Sequence, residues 1–148
     1  MTKQLFSGVT EQGKASIHRL DDAEILLENS RWRGAMYLAG YEVECLLKKK
    51  LMMRFSCRTL ESLDRELSRR DLLPSRMSVF THSFEPLFQL CDGTARLKHD
   101  AKTWRTFVRV NKWIPAWRYS SVPTSENEAR TFVSAVRELV KWIEGNIG

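Results

Sequence analysis

The chain has 148 residues, 43% hydrophobic and 28% charged, ordinary proportions for one globular domain with a core of its own. Seven glycines and four prolines are too few for a collagen-like or loop-rich β protein. The three cysteines, Cys45, Cys57 and Cys91, make neither a complete disulfide framework nor a C-x-x-C zinc knuckle.

Twenty-four basic residues against 18 acidic ones give a net charge of +6. From Arg96 to Arg118 seven cations face the single Asp100, so this stretch alone carries a surplus equal to that of the whole chain. Charge concentrated in this way suits a polyanionic partner better than it suits general solubility. No window approaches 18 uninterrupted apolar residues, and Met1–Ser7 is too poor in apolar side chains for a signal peptide. A soluble protein of a reducing compartment, most simply the cytoplasm, with no membrane association, is therefore expected.

In chain order, a first helix is predicted from about Thr10 to Asn29, with Ser16, Leu20, Ala23 and Leu27 on one face. A second, from about Trp32 to Phe55, is apolar on nearly all sides between Gly34 and Leu47 and should be the most buried element. A short charged helix fits Glu61 to Arg70, ended by Pro74, and a brief helical piece follows His82. A third long helix is predicted from Thr94 to Asn111, with Leu97, Ala101, Trp104 and Val108 as its core stripe. Lys98, Lys102, Arg105, Arg109 and Lys112 then lie along one line beside that stripe. Pro115 and Pro123 bracket a turn. Ser125 and Glu128 form a capping box for a last helix whose core face is Ala129, Phe132, Val136, Leu139, Val140 and Ile143. No stretch alternates with period two. The fold class is all-α, a four-helix bundle with short extra helices in the mid-chain connection, forming one domain over residues 1–148.

His18, His82 and His99 are the side chains available for acid–base work near neutral pH. His-Glu-x-x-His, a Gly-rich phosphate loop and a serine elbow are all missing, so zinc hydrolase, kinase and α/β-hydrolase readings lack support, and no motif calls for a cofactor or a metal. Glu42 and Glu44 stand within the most apolar helix. Lys48, four residues on, is in the favourable order to pair with Glu44; Arg118 is a tertiary alternative, and Glu42 is expected to reach solvent. Trp104, Trp113, Trp117 and Tyr119 are interleaved with cations, as in surfaces where bases stack and phosphates pair.

Several of these residues carry a family resemblance. His18-Arg19-Leu20-Asp21-Asp22-Ala23, Gly34-Ala35-Met36-Tyr37-Leu38-Ala39-Gly40-Tyr41 and Glu44-Cys45-Leu46-Leu47-Lys48 resemble the opening half of a HEPN domain. Thr81-His82 and Trp113-Ile114-Pro115-Ala116-Trp117-Arg118-Tyr119 resemble later positions of one HEPN subgroup, whereas Glu42 replaces the usual small apolar residue. The resemblance implies an up-and-down bundle, commonly a homodimer, of the kind found in prokaryotic defence and toxin–antitoxin systems.

It further implies RNA or a nucleotide as partner and, in many members, metal-independent RNA cleavage through an Arg-x(4–6)-His motif. Arg76 and His82 alone have that spacing, in the mid-chain connection rather than on a late helix. On this reading His82 acts with Arg76 or Arg118, while Lys98, Lys102, Arg105, Arg109 and Lys112 meet phosphates and Trp117 or Tyr119 stacks a base. Arg118 serves either that site or, as an ion-pair partner, Glu44. A non-catalytic subunit that docks a protein encoded nearby is the alternative from another class.

Overall fold

Helices form where apolar residues recur every three or four positions, and four of them end where a serine or aspartate turns left-handed. The structure, a computed structural model, describes residues 9–74, 76–120 and 122–148, with side chains from residue 19 onward. Met1–Ser7 and the side chains of Ser16 and His18 lie outside the described residues. Those residues are all-α, with no strand among them. They form α1 (Val9–Glu28), α2 (Trp32–Arg54), α3 (Leu60–Arg69), α4 (Phe84–Leu90), α5 (Thr94–His99), α6 (Ala101–Val110), a 3₁₀ turn (Pro115–Tyr119) and α7 (Glu126–Asn146). No described helix is long and apolar enough to cross a membrane.

Ser30, Ser56, Asp71 and Asp92 have φ between 54° and 60° and close α1, α2, α3 and α4 in turn. Each closure repeats one hydrogen-bond pattern. After α2, Ser56 N–H donates to the Met53 carbonyl (3.3 Å) and Cys57 N–H to that of Met52 (2.8 Å), which satisfies carbonyls the helix leaves open. Glycine is the usual residue at such a position, and its absence here explains how a chain with so little glycine still turns sharply four times.

As expected, α2 is the central element. It buries Ala35, Met36, Ala39, Val43, Leu46, Leu47, Leu51 and Met52 on several sides. Helix α1 packs along it with Ala23 and Leu27, α7 lies against another face, and α6 packs on α7. Ser125 caps α7 by accepting from Glu128 N–H (3.0 Å), while the Glu128 carboxylate takes the Thr124 hydroxyl (2.7 Å). Ala129, Phe132, Val136, Leu139 and Ile143 are buried as expected, and Val140 is half-buried.

The predicted third long helix is two. Asp100 adopts an extended conformation (φ −115°, ψ 113°), ends α5 and caps α6, accepting from Lys102 N–H (3.1 Å) and the Thr103 hydroxyl (2.6 Å). The break resets the helical phase. The face of α6 that enters the core is therefore Thr103, Thr106, Phe107 and Val110, while Ala101 is exposed, Trp104 half-buried and Val108 53% exposed. Only Leu97 of the expected stripe is fully buried.

Candidate functional site: a histidine on a buried carboxylate

His82 is placed by the segment before it. The Asp64 carboxylate of α3 accepts from the Ser78 hydroxyl (3.0 Å) and Val79 N–H (2.9 Å), and Val79 is buried. Beyond the histidine, Phe84 and Phe88 anchor α4 in the core. Held at both ends, the short loop lays His82 across α2, where its Nδ1 comes within 2.6 Å of Glu44 Oε1. Glu44 is only 3% exposed, and its other oxygen accepts from Lys48 Nζ at 3.1 Å. Both oxygens of a carboxylate withdrawn from water thus have donors, the condition under which a buried charge is tolerated. The imidazole is half exposed. A ring that gives Nδ1–H to Glu44 has Nε2 as its other nitrogen, the one able to accept a proton.

A wall of rings and cations stands beside this dyad. Tyr37 and Tyr41 lie one turn apart on α2 with ring centres 5.8 Å apart, and both rings meet Trp113. Trp113 is buried rather than free for stacking, and its Nε1–H donates to the Tyr37 carbonyl (2.9 Å). Arg19 covers the Tyr41 ring at 5.0 Å. Burial, reinforced by Glu44, pushes the Tyr41 hydroxyl up to about 12. Burial likewise raises Tyr37, against the opposing pull of Arg118 and Arg19. Both phenols therefore remain proton donors across the physiological range.

The structure separates the residues named from the sequence. Arg118 lies over the Tyr119 ring, and Glu44 is held by Lys48, the partner its spacing favoured, together with His82 in place of the tertiary alternative Arg118. Arg76 is exposed in a turn of its own (φ 62°), and no hydrogen bond or ion pair joins it to His82. Glu42, expected in solvent, is 4% exposed, because α2 is covered on that side as well.

The cationic line is also divided. Lys98 lies on α5 over Trp104 (5.5 Å), and Lys112 is drawn to Glu128 (3.8 Å) and the Phe132 ring. Lys102, Arg105 and Arg109 stay exposed on one flank of α6. Trp117 is half-buried between Phe132 (5.3 Å) and Arg33 (5.0 Å), whereas Tyr119 is 82% exposed.

Two cations missing from the sequence reading, Arg130 and Lys141 of α7, share with Lys102 and Arg109 the depressions between α6 and α7 that Glu138 also lines. The pairing of Glu44 with His82 was equally out of reach. It spans 38 residues, and only the i, i+4 spacing of Glu44 and Lys48 announced that a buried charge was being held. Compared with protein-family models, with curated proteins and with solved structures, the chain matches none.

Proposed function

We propose that the chain is an RNA-binding helical domain of the HEPN type, working as a homodimer in the cytoplasm, that cleaves the bound strand at His82. The observation that carries this reading is the 2.6 Å bond from a half-exposed imidazole to a buried, lysine-paired carboxylate. Such a carboxylate orients the ring, selects its tautomer and stabilises the imidazolium formed when the ring accepts a proton. Next to RNA the proton at hand is that of the ribose 2′-hydroxyl. Nε2 takes it, the 2′-oxygen attacks phosphorus, and the bond from phosphorus to the 5′-oxygen breaks. The departing 5′-oxygen recovers the proton from the imidazolium, leaving a 2′,3′-cyclic phosphate and a 5′-hydroxyl. Arg118, exposed on the neighbouring turn, is the cation suited to the charge that develops on the phosphate.

Binding of the rest of the strand draws on Lys102, Arg105 and Arg109, joined across the groove by Arg130 and Lys141, with Tyr119 offering the open ring for a base. A second reading, a subunit that docks a protein partner, is favoured by the exposed apolar side chains of Ile114, Tyr119 and Val122. Retention of a labelled single-stranded RNA at low and at moderate salt, with its products analysed in a chelating buffer, tests the proposal. Salt-sensitive retention, weakened when Arg105 and Arg109 become Glu, and cyclic-phosphate ends are expected. RNA neither retained nor cut, with a co-purifying protein in its place, would support the docking subunit instead.

A further inference from the structure

His82 also borders a depression of about 410 Å³ between α4 and the turn after α6, large enough for one nucleotide unit. Behind it lie the buried rings of Phe84 and Trp113, stacked on one another nearly parallel (14°) with ring centres 5.2 Å apart, which make its inner wall rigid. Pro86 and the exposed Ile114 add apolar sides. Polar side chains line it as well: His82, Ser83 and the pair Glu85 and Asn111. Glu85 Oε1 accepts from Asn111 Nδ2 at 2.8 Å, which ties α4 to the end of α6 across 26 residues. That bond leaves a second carboxylate oxygen on Glu85 and the amide carbonyl of Asn111, so the pair offers acceptors on a side chain already held in place.

We infer that this depression is a base-recognition subsite for guanine; the inference rests on RNA being the strand that His82 meets. Guanine alone among the four RNA bases presents two adjacent donors, N1–H and the N2 amino group, on its pairing edge. A carboxylate meets both at once, as a charge-assisted double hydrogen bond. Adenine and cytosine each set a ring-nitrogen acceptor beside their amino group, and uracil flanks its one N–H with two carbonyls. Each of these would bring a lone pair against Glu85. The apolar sides are indifferent to base identity, so selection falls to the Glu85–Asn111 pair. A guanosine seated here has its ribose next to His82, which makes guanine the base on the 5′ side of the cut.

The test titrates the 3′-monophosphates of guanosine, inosine, adenosine, cytidine and uridine into the full chain, following tryptophan fluorescence. Retention of a mixed-sequence RNA is measured in the same buffer. Guanosine 3′-monophosphate is expected to bind about tenfold or more tighter than those of adenosine, cytidine and uridine. The inosine nucleotide, which lacks the N2 amino group, falls between, and Glu85→Gln removes the preference. A wild-type chain that retains RNA but binds all five nucleotides alike overturns the subsite and leaves RNA binding standing. A chain that retains neither overturns both.

Discussion

Gly40 and Trp113 share one space: a Cβ at residue 40 would stand 2.1 Å from the indole ring. Only a bare backbone on α2 lets the indole settle between Phe84 and Tyr37, and the indole in turn fixes the 3₁₀ turn that carries Arg118 and Tyr119. Alanine is worth about 1 kcal/mol more than glycine in an open helix. Here Gly40→Ala should instead destabilise the fold by about 2–3 kcal/mol, since the ring is trapped by neighbours on both faces and cannot move aside. Urea unfolding followed by tryptophan fluorescence checks the sign; a stabilised variant would mean that the ring is free to shift.

Glu44 and Lys48 are both almost wholly withdrawn from water. Glu44→Gln strands the lysine charge in the core and should cost about 3–5 kcal/mol. Glu44→Leu combined with Lys48→Met removes both charges and should recover most of that loss. Denaturant titration of the single and double variants measures the difference. Equal stability of Glu44→Gln and wild type would contradict a buried ion pair.

At Ser30 and Ser56 a residue with a side chain occupies the left-handed conformation that glycine adopts freely. Replacing either by glycine should raise stability by about 0.5–1 kcal/mol, the relief of the left-handed strain being partly offset by a more flexible unfolded chain. Thermal melts of Ser30→Gly and Ser56→Gly should move upward, and those of the alanine variants should not.

Burial pushes the thiols of Cys45 and Cys91 from an ordinary 9 up to about 12. Below pH 9 both folded and unfolded chains keep these protons and stability is flat in this respect. Between pH 9 and 12 the unfolded chain releases them first, so stability falls by about 1.4 kcal/mol per pH unit for each thiol. Alkaline unfolding curves of Cys91→Ala should therefore be shallower than those of wild type. In native protein at pH 8, thiol reagents should react slowly with both residues.

Much of the fold could be read from apolar spacing, because α1, α2, α3 and α7 are governed by local periodicity and by caps such as Ser125. What misled was the assumption of one phase from Thr94 to Asn111. Asp100 satisfies two donors of its own next turn, and that local bond outweighs continuing the helix. The burial of Trp113 depends on a glycine 73 positions away, and that of Glu42 on how many helices surround α2. The dyad of Glu44 with His82 is tertiary in the same sense. Sequence named both residues and the Lys48 partner of the carboxylate, but offered Arg118 rather than His82 as the tertiary one, because spacing is silent about which loop crosses a helix.

The most direct test of the account is RNA cleavage by His82→Ala with and without added imidazole, in a chelating buffer. Losing the proton acceptor should slow cleavage at least about 100-fold, and free imidazole should restore part of the rate by occupying the vacated place. Cleavage by His82→Ala at the wild-type rate, or RNA left intact by the wild-type protein, would contradict it.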